Sequence, residues 1–469
     1  MHEPDLQLLT TSDLVRLYRQ RQLSPVEVMD GYLARIERLN PGLNAFVLVD
    51  PERARAEARR AEDAFMGADE PPLLAGLPVS VKDNIMTAGL RSTSGSPLFA
   101  DHVPQADAGV VAAVRRTGGI VVGKTNTPAF GWTGSTDNKL FGPTPNPHDR
   151  TVTAGGSSGG AAVSAAAALA PVNIGTDGGG SLRTPAAFTG TVGFKPSHGR
   201  LADVPAHPHW LMQHYGPIGR TVADVALVLE AAAGPHPADP HSLPRGADDF
   251  VAATQSTPCG LKVLFTTQLG FVEAVDPEIE ALCREAATAL AELGWTIVER
   301  DLDWPDPAAF ANTLSAVGFA WRLGDHLDRR DDIEDGILAI LDHAAALPPN
   351  AFYDAYLERN RWCAHPLGLF EAFDLLVTPT TAAPPFPVGT LAPATIGGRA
   401  VPPSAWSPYL RPFNLTGQPA ISVPAGRTRA GLPVGLQIVG PRCGDARVLA
   451  AAAAFERLRP WPMWHEAGV

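Results

Sequence analysis

Thr153-Ala-Gly-Gly-Ser157-Ser158-Gly-Gly160 is the stretch that decides how this chain is read. Glycines packed around a serine leave the backbone free to approach a bound molecule, with N–H groups available to point at it. A second loop of the same character follows at Gly175-Thr-Asp-Gly-Gly-Gly-Ser181-Leu-Arg183, and a lysine stands upstream in Val79-Ser-Val-Lys82-Asp-Asn84. A serine hydroxyl is a weak nucleophile until a base takes its proton. Lys82, Lys124, Lys139, Lys195 and Lys262 are the only lysines in a chain otherwise rich in arginine. One placed in an apolar run calls for an explanation: a buried amine loses its proton readily and can then act as a base, which arginine cannot. The three segments together point to hydrolysis by a serine with a lysine base.

Around these segments helices and strands alternate. Leu77–Val81 reads as a short strand leading to Lys82. Gly109–Arg116 reads as a helix and Ile120–Val122 as a buried strand. A helix over Ala161–Ala170 follows Ser158, and a strand over Val172–Ile174 ends at the second serine loop. Towards the N-terminus, Thr11-Ser12-Asp13 is a helix cap and Ser24-Pro25-Val26-Glu27 a capping box with proline at the first helical position. Pro51–Phe65 is charged, alanine-rich and helical. Later, strands at Leu261–Phe265 and Trp295–Val298 bracket a helix over Pro277–Leu293, and residues 305–370 read as helical. Leu375–Val377, Ala420–Val423 and Val434–Val439 read as strands between Pro/Gly turns. This alternation predicts an α/β layered fold, and no linker or repeat divides it.

Composition narrows the function. The chain has 469 residues, is 45% hydrophobic and 18% charged, and carries a net charge of −12. Phosphate binding needs clustered Lys and Arg, so no nucleic-acid partner is expected. No apolar run reaches the ~20 residues of a membrane helix. The opening Met1–Gln7 lacks the pattern of a secretory leader. Cys259, Cys283, Cys363 and Cys443 show neither metal spacing nor a disulfide framework. A cytoplasmic protein is expected.

Two familiar motifs match formally. Gly118-Gly-Ile-Val-Val-Gly123-Lys124-Thr125 satisfies the phosphate-loop pattern, but a helix rather than a strand precedes it, so an ordinary helix-turn-strand connection is expected. Gly155-Gly-Ser157-Ser-Gly159 satisfies the nucleophile-elbow pattern of α/β-hydrolases, yet the proline-broken Gly142–Asp149 loop stands where that elbow needs a strand. No histidine after it sits in a telling motif. The esterase reading stays open as an alternative.

The ordered set of motifs resembles the amidase signature family. It comprises Gly76–Asn84, Gly123-Lys-Thr-Asn126, Phe141-Gly-Pro143, the two serine loops, Gly193-Phe-Lys-Pro196, Thr378-Pro-Thr380 and Asn414 through Gly440. The spacings of Lys82, Ser157 and Ser181 agree, and the resemblance runs from Leu8 past Phe455. It implies a single α/β/α domain over 1–469 with a central mixed sheet surrounded by helices. The signature core spans about 70–220, with a more variable helical region on the substrate side at about 300–370. It implies that Ser181 is acylated and that Lys82 is the base. Ser157, held by a cis peptide bond, passes the proton between them. The backbone N–H groups of Gly178, Gly179, Gly180 and Ser181 would form the oxyanion hole, a term usually large in acyl transfer. Ser158 would support the loops by hydrogen bonding, and Asp177 and Arg183 would brace them. No metal or organic cofactor is implied.

Departures from the family pattern bear on substrate. Gly178 stands where a larger residue is common, His209-Trp-Leu-Met-Gln-His214 replaces a small segment before Gly216-Pro217, and Phe130-Gly-Trp132 replaces small or acidic residues. Phe130, Trp132, Trp210, Met212 and Trp406 are accordingly candidates for the substrate pocket. Ser407 falls where glutamine-using members carry an acid for the substrate's amino group. The expectation is an amidohydrolase, monomeric or homodimeric, for a small and rather apolar amide of aryl, aliphatic or carbamate type. The alternative within the family is the glutamine-hydrolysing component of a tRNA-dependent amidotransferase.

Overall fold

The computed structural model describes residues 9–67 and 71–462; the opening segment read for a leader lies outside them. Thirteen strands occur among the described residues. They are β1 (Phe46–Val49), β2 (Pro78–Lys82), β3 (Ile120–Thr125), β4 (Val172–Thr176), β5 (Val192–Lys195), β6 (Tyr215–Gly219), β7 (Lys262–Phe265), β8 (Thr296–Glu299), β9 (Leu375–Pro379), β10 (Thr395–Ile396), β11 (Arg399–Ala400), β12 (Ala420–Arg427) and β13 (Pro433–Val439). Eleven of them form one mixed sheet in the order β1-β3-β2-β4-β6-β5-β12-β13-β9-β7-β8; β10 and β11 pair separately. Helices cover the sheet, giving the α/β layered architecture.

Both faces of the sheet are buried, and the strand period of two sorts side chains between them. Leu375 and Val377 of β9 join a core shared with the helices Val222–Ala232, Pro277–Ala289 and Asp445–Leu458. Leu376, between them, joins a second core with Phe188, Tyr409 and Phe413. In β2, Val79 and Val81 pack in the first core, while Ser80 donates to Asn173 Oδ1 at 2.7 Å.

The strands β3, β2 and β4 are mutually parallel, with Val79 opposite Val172 and Val81 opposite Ile174. Their carboxyl ends therefore lie together, the usual place for a ligand in an α/β sheet. Lys82 ends β2 and Thr176 ends β4, so the lysine segment and the second serine loop leave the sheet side by side. The helix Gly159–Ala166 begins directly after Ser158 and connects the first serine loop to β4.

Most expected elements form, with ends shifted by a few residues. The first helix is capped by Thr10 rather than from within Thr11–Asp13: its side chain accepts from Asp13 N, and Asp13 reciprocates. Strands β5 and β6 are not legible in the sequence, because Gly193, Gly216, Pro217 and Gly219 read as turn residues. Gly216 is there because the chains approach closely: a side chain on it would run into the Phe194 carbonyl and the Leu182 side chain. The phosphate-loop match is a helix-turn-strand connection. Lys124 lies fully buried in β3, where its ammonium bonds the Ile85 carbonyl, Thr87 Oγ1 (2.9 Å) and Ser92 Oγ (2.8 Å).

Candidate active site

Lys82 is completely buried at the end of β2. Its Nζ stands 2.6 Å from Ser157 Oγ and 2.8 Å from Thr176 Oγ1. Burial pushes the amine well below the ordinary lysine value, and the Asp177 charge only partly opposes this. The Gly156–Ser157 peptide is cis. Ser158 ties the two serine loops together: its Oγ donates to the Thr176 carbonyl at 3.1 Å, and its N–H donates to the Ser181 carbonyl at 3.1 Å.

The loop that carries Ser181 is built around Asp177 and Arg183, both fully buried. The Asp177 carboxylate accepts from Gly180 N (2.6 Å), Leu182 N (3.1 Å), Arg183 Nε (3.0 Å) and Asn414 Nδ2 (2.8 Å). Burial alone would raise this carboxyl, but the adjacent Arg183 guanidinium outweighs it and holds the group well below the usual carboxylate range. Arg183 spends its remaining donors on Asp177 Oδ1 (3.0 Å), the Leu410 carbonyl (3.0 Å), Gln437 Oε1 (2.7 Å) and Asn414 Oδ1 (2.6 Å). All five of its N–H groups are thus satisfied. Removing one partner of such a buried pair strands the other. Arg183→Met is therefore expected to cost about 3–5 kcal/mol of stability, read from chemical denaturation.

This bracing changes the expected donor set. The Gly180 N–H is committed to Asp177 and cannot face a ligand. Among the described residues, the N–H groups of Gly178, Gly179 and Ser181 have no protein acceptor. These three reach the surface of the cavity beside Ser157.

That cavity is about 180 Å³ and is lined by Ser157, Ser181, Thr176 and the glycines of the second loop. Of the pocket candidates, Phe130, Trp132, Met212 and Trp406 line it. Trp210 does not. The turn at 207–213, closed by Met212 N and Gln213 N on the His209 carbonyl, directs His207, His209, Met212 and Gln213 inwards. Trp210 points the other way and stacks on His241, with ring centroids 4.9 Å apart and an interplanar angle of 13°.

Several cavity residues carry no signal in the sequence. Asn84 and Thr176 stand inside recognisable motifs without a role of their own. Phe319 and Ser315 come from the helix Ala308–Leu323, and Arg411 from far downstream. His207 and His209 read as ordinary histidines. Burial, reinforced by Arg322, pushes His207 well down, and burial lowers His209 to about 4, so both are neutral at neutral pH. The expected apolar pocket is therefore of mixed character: Phe130, Trp132, Phe319 and Trp406 share its lining with His207, His209, Gln213 and Arg411.

A lysine amine that burial pushes towards its neutral form, a serine in contact with it, and a second serine beside unoccupied N–H donors can perform acyl transfer. A model of the amidase family matches residues 27–449, and the chain belongs to that family. Among its relatives is an acylamidase of Rhodococcus erythropolis, 37% identical with 98% of each chain covered. Another is the A component of the glutamyl-tRNA(Gln) amidotransferase of Thermus thermophilus, 38% identical over 93% of this chain and 94% of the other. Among solved structures, a bacterial aryl acylamidase of the amidase signature enzymes superimposes with a TM-score of 0.90 at 34% identity, covering 97% of this chain and 96% of that one. A 6-aminohexanoate cyclic dimer hydrolase does so with a TM-score of 0.90 at 29% identity, covering 97% and 98%. The chain is accordingly a hydrolase acting on amide C–N bonds.

Proposed function

We propose that this chain, folded as one domain, hydrolyses a small amide with an aryl, aliphatic or carbamate-type body through an acyl-enzyme on Ser181. Ser181 Oγ attacks the carbonyl carbon while its proton passes through the Ser157 hydroxyl to neutral Lys82. The oxyanion is held by the N–H groups of Gly178, Gly179 and Ser181. The C–N bond then breaks, and the departing nitrogen takes the proton back along the same relay. A water molecule repeats the attack on the ester and frees Ser181. The observation that carries this reading is the contact at 2.6 Å between Ser157 and a fully buried Lys82, whose pKa burial lowers well below the ordinary lysine value. The acylamidase relatives support the substrate class.

The amidotransferase relatives favour glutamine as a second reading. Against it, Ser407 lines the cavity where an acid would hold the amino group of glutamine, and no Asp or Glu is among the lining residues. Burying about 100 Å² of substrate against the aromatic side chains yields about 2.5 kcal/mol, on the order of 50- to 100-fold in kcat/KM. An aryl or long-chain amide is therefore expected to exceed both acetamide and glutamine by about that factor. Release of ammonia from glutamine as the fastest reaction would promote the second reading.

A further inference from the structure

Among the described residues, Arg411 is the only cavity-lining side chain that is charged at neutral pH, given neutral His207 and His209. No carboxylate lies within ion-pair distance of it among the described residues. Asp306 acts on it only through space. Its one protein acceptor is Asn312 Oδ1, 2.6 Å from Nη1. Arg183, ion-paired and with all five N–H groups engaged, shows how the same fold satisfies a buried bracing arginine. Arg411 is half-buried and borders the donor loop: a Cβ built on Gly179 would stand 3.8 Å from its Nε. A planar guanidinium with free N–H groups matches a carboxylate two bonds at a time. Phe130, Trp132, Phe319 and Trp406 line the same cavity.

We propose that Arg411 forms an anion subsite in the catalytic cavity, so that the preferred substrate is an amide with an apolar body and a carboxylate or comparable anionic group. This rests on the amidohydrolase reading of the cavity. It adds an anionic group to the small, rather apolar amide expected from the sequence. Glutamine stays disfavoured, because its ammonium finds no acid in the cavity.

Two matched pairs test the subsite on either side of the scissile bond: 4-acetamidobenzoate with its methyl ester, and succinanilate with its methyl ester. In wild-type enzyme the carboxylate member of one pair should exceed its ester in kcat/KM at least about tenfold, or about 1.4 kcal/mol. In Arg411→Gln and Arg411→Met that ratio should fall to about one or below, while Arg411→Lys should give an intermediate value. Benzoate should also inhibit the wild type at least about tenfold more tightly than benzyl alcohol, a comparison that needs no variant. Hydrolysis of the esters without any carboxylate preference, or a preference that survives in Arg411→Gln, overturns the subsite and leaves the amidohydrolase reading standing. Failure to hydrolyse any of the four amides overturns both.

Discussion

Ser181→Ala is expected to abolish acyl-enzyme formation and lower turnover by on the order of 10⁴- to 10⁶-fold, the usual cost of deleting a serine nucleophile. Ser181 reaches the surface of a cavity that the unengaged N–H groups of Gly178, Gly179 and Ser181 itself also border, so an attacking oxygen there generates its oxyanion where donors wait. Ser157 is buried against Lys82 and in the proposed mechanism only relays a proton. Ser157→Ala should accordingly keep a slow residual reaction, because a water molecule can stand in for the missing hydroxyl. A fluorophosphonate or sulfonyl fluoride followed by mass spectrometry should place the label on Ser181. Label on Ser158 with Ser181 untouched would revive the nucleophile-elbow reading.

Lys82→Ala should lower the rate by about 10²- to 10⁴-fold, the range for removal of a positioned base. The pH profile carries the sign. Burial disfavours the ammonium, so the folded-state pKa lies well below the ordinary 10.5 despite the opposing charge of Asp177. The competent form is the neutral amine. With a neutral substrate, the rate should therefore fall as pH drops through this depressed value and level off above it, well before free lysine would titrate. His207 and His209 are neutral on that plateau and should add no limb there. A fully active Lys82→Ala enzyme, or silencing by replacement of a single histidine, would sink the lysine base.

The sequence made the fold class and the site's centre legible because both rest on local signals. Apolar strands such as Val172–Ile174 run directly into glycine-serine loops, and Lys82 stands out because the chain otherwise uses arginine. The fold then brings the two loops together by placing β2 and β4 side by side. What stayed hidden depends on tertiary direction. Trp210 and Met212 are two residues apart, yet a single turn sends one ring towards His241 and the other side chain into the cavity. Gly180 is indistinguishable in the sequence from Gly178 and Gly179; only the Asp177 carboxylate separates them, by claiming one N–H. Arg411 lies in a short helix, between the pocket candidates Trp406 and Ser407 and the Asn414 motif, yet no signal in the sequence marks the arginine itself as facing the cavity.

Arg183 grips Leu410, Asn414 and Gln437, all more than two hundred residues downstream. A chain emerging from the ribosome can form the lysine strand and both serine loops early, but the scaffold of the donor loop stays unfinished until β13 has been made and docked. A chain truncated before β13 would therefore lack the Gln437 acceptor of Arg183 and leave the donor loop incompletely braced.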